Sequence, residues 1–200
     1  MSDQGDRIAE EAIKHLEIGG GPNQSLENRQ AYKALCWPFD PAWAQDDFSK
    51  NQYSCALTAR GIWRNVGVQH PLLEGAYVEQ YTQPLGDAVS QIQTIAKSKG
   101  AWVDPRTSDE PPYRGCVVII CTPGQNDAHV LIVYNYTGID SVLTSVDGGQ
   151  GVRGDYSIQW RRRRLGYDHA HKLWRVWEGP NLDVPARPVL GWAMPEKMLP

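Results

Sequence analysis

No apolar run in the 200 residues reaches the roughly 20 that a bilayer span needs, or forms the apolar core of a cleavable leader. The expectation is a soluble chain without a membrane span or cleavable signal, acting in the cytoplasm or released by phage lysis or a secretion machine. Charge of one sign is lacking too. Twenty Lys and Arg against 23 Asp and Glu leave a formal net charge of -3, which gives no reason to expect nucleic acid or an anionic membrane as the main partner. Cysteine is scarce. Four residues are too few for a disulfide scaffold, and no C-x-x-C pair points to zinc. Reduced thiols are the default, with no metal and no cofactor expected, and a cysteine is left free for chemistry.

What is present describes one compact α+β domain over residues 1–200, with 41% hydrophobic and 22% charged content in balanced signs. The chain organises around residues 51–67. Apolar Cys55, Ala56, Ala59, Ile62 and Trp63 recur at three- and four-residue spacing, Ser54 is a candidate N-cap, and Asn65 and Gly67 are stop signals. Cys55 therefore falls in the first turn of a three-turn helix. There the backbone N–H groups lack intrahelical partners and the dipole is positive, so a thiolate is stabilised. The competing reading is a buried core cysteine.

Ahead of this helix, residues 7–18 place Ile8, Ala12, Ile13 and Leu16 on one face, with the glycines from Gly19 as the stop and His15 off the stripe as a solvated residue. Residues 23–50 turn to aromatics, prolines and acids and read as an ordered loop with a short helix at 28–35. Its Trp37 and Trp43 either line a groove leading to Cys55 or cover the core; Cys36 beside them reads as buried and inert. Residues 84–99 form a second clear helix, with Leu85, Ala88, Val89, Ile92, Ile95 and Ala96 inward and Gly100 as its stop, and His70 reads as a turn residue.

From residue 115 the periodicity switches to strands at 115–121, 128–136, 142–147, 156–163 and 172–178. Cys116 and Cys121 face opposite sides of one strand and cannot pair. The run Arg161 to Arg164 alternates between faces and reads as a solvated strand edge, with an anion site as the alternative. His169 and His171 lack a third ligand and read as a turn. The tail from Gly179 is extended by its prolines and docks through Gly191-Trp192-Ala193-Met194.

His129 enters the second strand and Asp147 closes the third. A hairpin centred on Gly138 sets them directly opposite, and one centred on Ile139 sets them diagonal on the same face. A Cys nucleophile, an imidazole acting as base and acid, and a carboxylate orienting it are the parts of a thiol hydrolase. Gln52 or Asn51 are candidate side-chain donors to an oxyanion. The alternative remains that an inward His bonded to an Asp across a sheet is a satisfied core pair.

Cys55 at a helix start, followed by Gly115-Cys116-Val117-Val118-Ile119-Ile120 and Asp127-Ala128-His129-Val130-Leu131-Ile132-Val133, resembles the papain-like cell-wall cysteine peptidases of the NlpC and CHAP type. Ser145-Val146-Asp147-Gly148-Gly149-Gln150 falls where that family places its third, polar residue. The resemblance spans residues 7–165 through short motifs. It departs at Cys116, where an Asp is frequent, and at Leu131, where a small residue is usual and the bulk would narrow the groove. It implies a papain-like fold, with N-terminal helices packed on a C-terminal antiparallel sheet, and cleavage of amide bonds in peptidoglycan through a thioester without metal. A toxin-like deamidase or transglutaminase, a protein-directed protease, and a silent glycan- or peptide-binding module are the alternatives. An inhibitor or immunity partner is compatible with each, although no residue pattern shows one.

Overall fold

The structure is a computed structural model that describes residues 3–36, 54–74, 87–121, 128–138, 142–150, 156–178 and 186–200. The 37–50 part of the expected loop 23–50, with Trp37 and Trp43, the residues Asn51 and Gln52, Leu85, and the 179–185 part of the tail lie outside the described residues.

Among the described residues, seven strands form one antiparallel sheet: β1 (Trp102–Val103), β2 (Val117–Cys121), β3 (Ala128–Thr137), β4 (Val142–Gln150), β5 (Ser157–Asp168), β6 (Leu173–Trp177) and β7 (Arg187–Ala193). Their order is β1-β7-β2-β3-β4-β5-β6, and β6 pairs again with β7. That last pairing closes β7-β2-β3-β4-β5-β6 into a six-stranded barrel, with β1 attached outside the ring. The papain-like arrangement expected from the sequence, helices laid on an open sheet, is therefore corrected. The physical reason is that β6 and β7 meet through Arg175↔Pro188 and Val176↔Arg187, which removes the free edges of the six-stranded ring.

The helices are α1 (Asp3–Ile13), α2 (Leu26–Cys36), α3 (Ser54–Asn65), α4 (Pro71–Glu74), α5 (Asp87–Ser98) and α6 (Pro195–Met198). Strand alternation separates two cores. Cys116, Val118, Ile120, Leu131, Val133, Leu143, Leu165, Trp174, Val176, Val189 and Trp192 pack together inside the barrel. Val117, Ile119, Val130, Ile132, Val146 and Ile158 point outward from the same strands, against Ile8, Ala12, Leu57, Ile62, Trp63, Ile92 and Ile95 of the helices. β2 and β3 are buried on both faces, which is why they read as continuous apolar runs.

Several boundaries shift for local reasons. The first helix ends at Ile13, short of the glycines, because the backbone of Glu17 and Ile18 bonds with Ile158 and draws this segment onto β5. His15 is not free in solvent: its Nε2 lies 3.0 Å from Glu11 Oε1. The helix expected at 28–35 is longer, and Ser25 Oγ caps it by accepting the Asn28 N–H at 3.1 Å. His70 Nδ1 accepts the Leu72 N–H at 3.1 Å and so starts the short α4. β7 was expected only as a docked tail. At Gly191, with φ +154, a Cβ would sit 2.1 Å from the Trp102 ring and 2.7 Å from the Val103 carbonyl, so only glycine lets β1 and β7 approach this closely. A bulge there moves the register from Ile119↔Gly191 to Ile120↔Val189.

The arginine run is also corrected. β5 lies between β4 and β6, so it is no edge. Arg162 and Arg164 are exposed as alternation requires, whereas the Arg163 side chain is only 4% exposed.

Candidate functional site

α3 begins at Ser54 and packs its apolar face, Ala56, Ala59, Ile62 and Trp63, into the outer core beneath β3 and β4. This docking brings Cys55, the second helix residue, to the start of β3. The Cys55 sulfur hydrogen-bonds to the His129 imidazole and to the backbone N–H groups of Val130 and Ala56. Burial by itself pushes the thiol pKa up, but the charge of His129 and these hydrogen bonds outweigh it, so the thiol is held below its ordinary value. The other buried cysteines behave oppositely. Burial pushes the Cys36 thiol up to about 12, and the Cys116 thiol inside the barrel is likewise raised. None of the four cysteines is in a disulfide.

His129 is the second residue of β3 and shares its inward side with Leu131 and Val133. The pairs Ile132↔Val146 and Val133↔Ser145 carry the hairpin register centred on Ile139, so that Leu131 continues opposite Asp147 and His129 lies diagonal to it. The diagonal is short enough for a direct bond: His129 Nε2 is 2.5 Å from Asp147 Oδ2. Burial works against the imidazolium. The thiolate charge of Cys55, the carboxylate of Asp147 and the hydrogen bond that the imidazolium donates to each nevertheless raise the His129 pKa well above its ordinary value. Cys55 and His129 are thus arranged as a thiolate–imidazolium pair, with one ring nitrogen facing sulfur and the other facing the carboxylate.

Asp147 is fully buried. Burial opposes its charge, yet Arg163 and His129 hold the carboxyl far below the usual carboxylate range. Its Oδ1 accepts Ser145 Oγ–H at 2.6 Å and Arg163 Nη1–H at 3.1 Å, while Oδ2 accepts Arg163 Nη2–H at 2.6 Å besides His129. The β4–β5 ladder slips immediately after this residue, between Asp147↔Gln159 and Gln150↔Ser157, with Gly149 at φ +71. A bulge beside a functional side chain is a common way to aim it.

Sequence reasoning placed Cys55, His129 and Asp147, and these three meet. It placed Asn51, Gln52, Trp37 and Trp43 as oxyanion or groove residues, and these lie outside the described residues. Leu131, expected to narrow a groove, is wholly buried in the barrel interior instead. Ser145 and Arg163 were missed. The available signal was alternation: Ser145 shares the inward face of β4 with Asp147, and a buried carboxylate there demands a cation from a neighbouring strand. Among the described residues, no group of three or more His, Cys, Asp or Glu side chains is placed to hold a metal ion, and His171 Nδ1 bonds to Asp168 at 2.8 Å within a turn. Among the described residues, no helix is long and apolar enough to cross a membrane.

No family model matches the chain, and neither a curated protein nor a solved structure matches it.

Proposed function

We propose that the protein is a cysteine amidohydrolase or peptidase with Cys55 as nucleophile, His129 as base and acid, and Asp147 as the group that orients the imidazole. The observation that carries this reading is the continuous bonding of Cys55 sulfur, His129 and Asp147, with the thiol lowered and the imidazole raised. A merely structural buried cysteine is raised, as Cys36 and Cys116 are.

In the proposed reaction the Cys55 thiolate attacks an amide carbon, and the negative charge passes to the carbonyl oxygen. The N–H groups of residues 54–57 have no carbonyl within α3 to accept them, so this turn supplies donors for the oxyanion. The C–N bond then breaks as the amine takes a proton from His129, leaving a thioester. Water, deprotonated by His129, hydrolyses the thioester and returns the thiolate.

Peptidoglycan is the substrate to test first, and the short segments around Cys55, residues 115–120 and residues 127–133 are what support it. Wild type and Cys55→Ala are incubated with purified peptidoglycan, and released fragments are identified by mass. Fragments from the wild type alone support both nucleophile and substrate. If the wall stays intact while Cys55 is alkylated by iodoacetamide well below pH 8, the thiol chemistry stands and another amide is the substrate. A Cys55 that resists alkylation until the protein unfolds removes the enzyme reading in favour of a binding module.

A further inference from the structure

Beyond the three residues of the proposed reaction, we infer that Arg163 is a positioning residue: clamped by Glu178, its guanidinium pins the Asp147 carboxylate in the orientation that receives the His129 N–H. The inference rests on the proposed reading of Cys55 and His129, and on the hydrogen bonds around Asp147.

Arg163 donates to four acceptor atoms on three residues at once. Nη1 and Nη2 grip the two oxygens of Asp147 at 3.1 and 2.6 Å, Nη1 also reaches Ser145 Oγ at 2.6 Å, and Nε is held by Glu178 Oε1 at 2.7 Å. Ser145 closes the triangle by donating to Asp147 Oδ1 at 2.6 Å. Each carboxylate oxygen of Asp147 thus receives two hydrogen bonds. With no exposed surface, the carboxylate has no water to turn toward. The fork is what an ammonium lacks: Lys in its place carries the charge but not the paired, planar donors.

The charged groups facing this cluster come from every neighbouring element. They are Cys55 on α3, His129 on β3, Asp147 on β4, Arg163 on β5 with half-buried Arg161 on the same side of that strand, Glu178 after β6, and Arg187 on β7, 3.6 Å from Glu178. From sulfur to Arg187 the signs alternate, so each member stabilises the next. Removing Arg163 leaves the buried carboxylate with one donor at each oxygen, Ser145 Oγ–H and the imidazole, and with no guanidinium beside it. It then takes up a proton or turns, and the imidazolium loses the anion behind it. The reactive sulfur feels Arg163 through that route.

The test is a double-mutant cycle on the full chain, read by the rate of Cys55 alkylation with iodoacetamide from pH 5.5 to 9.5, with circular dichroism to confirm folding. Arg163→Gln and Arg163→Lys should each move the alkylation midpoint upward in pH and cut the rate at pH 6.5 about tenfold or more. Asp147→Asn should do the same. Adding Arg163→Gln to Asp147→Asn should then change the profile no further, because the route runs through the carboxylate. An unchanged profile in Arg163→Gln, or an equal further loss in the Asp147→Asn background, overturns the inference. If Arg163→Gln does not fold, Glu178→Ala decides. It keeps the guanidinium but frees its Nε, and it should shift the midpoint in the same direction by a smaller amount, whereas no shift refutes the clamp. A wild-type Cys55 unreactive below pH 8 fails the proposed function itself. A reactive Cys55 with an inert peptidoglycan assay leaves this inference standing, since its readout needs no substrate.

Discussion

Replacing Asp147 by Asn changes no heavy-atom count, so its effects are those of chemistry rather than shape. The carboxylate accepts four hydrogen bonds, two at each oxygen, from Ser145, His129 and both ends of the Arg163 fork. An amide has one oxygen. If its NH2 takes the place of Oδ2, it meets His129 Nε2–H and Arg163 Nη2–H as a donor facing donors. The imidazole can accept only by moving its proton to Nδ1, which occupies the nitrogen that should receive the thiol proton. If the NH2 takes the place of Oδ1, it faces Arg163 Nη1, and Ser145 must reverse its hydroxyl. In either case Arg163, 4% exposed, keeps the charge of Glu178 but loses that of Asp147. Breaking one side of a buried ion pair costs about 3–5 kcal/mol, a large share of the roughly 5–15 kcal/mol that holds a domain folded. For the thiol, loss of the oriented imidazolium should return the Cys55 midpoint toward the ordinary value of about 8.5, and each unit of rise slows alkylation at pH 6.5 about tenfold. Turnover of an amide substrate should fall roughly 10²- to 10⁴-fold. Urea unfolding monitored by circular dichroism gives the stability change, and iodoacetamide alkylation gives the profile. A variant within about 0.5 kcal/mol of wild type, the scatter of surface substitutions, and with an unchanged alkylation profile would refute the assignment of Asp147.

Three further outcomes are expected of the same molecule. Gly191→Ala should destabilise by about 3 kcal/mol or more in thermal or urea unfolding, since its Cβ would overlap the Trp102 ring and the Val103 carbonyl at a positive φ; a change below about 1 kcal/mol would mean that β1 yields easily. Stability should depend on pH at both ends. Asp147, with its folded pKa depressed, contributes fully above its unfolded value near 4 and loses that contribution as acid protonates it, whereas His129, with its pKa raised, contributes fully below about 6.5 and loses it as pH climbs toward about 10. Urea midpoints measured from pH 2 to 10 should show the acid limb flatten in Asp147→Asn and the alkaline limb flatten in His129→Gln. Cys36→Ser and Cys116→Ser should leave the low-pH alkylation unchanged, because both thiols are raised by burial; mass mapping of the labelled peptide checks this, and a label on either one below pH 8 contradicts it.

The parts of the fold that repeat locally were legible before the structure. α3 and α5 announce themselves by three- and four-residue spacing, and the β3–β4 hairpin by two apolar runs around a short turn; the register of His129 against Asp147 stayed open between two centres, and a bulge between Val133 and Asn135 selects the one on Ile139. Closure of the barrel was not legible, because it depends on β7 lying beside both β2 and β6, strands distant in the chain, and β7 carries Pro188, which reads as a break. β1, two residues long, has no periodicity to find. Arg163 was hidden among four consecutive arginines. Nothing in that run marks one as buried until β5 is known to have a neighbour on each side and Asp147 is known to point inward from β4.

Among the described residues, the β6–β7 closure consists of Arg175↔Pro188 and Val176↔Arg187, and the proline brings no N–H to the ladder. A seam so short is where native-state hydrogen exchange should find the least protection in the ring, with subglobal opening there ahead of global unfolding. Glu178 succeeds one side of that seam and Arg187 stands on the other, 3.6 Å apart. Reactivity at Cys55 would then report on events at the opposite wall of the barrel. A strand that paired into the seam, or a contact that held it shut, would tune the thiol from a distance by shifting the population of closed molecules, without touching the reacting atoms.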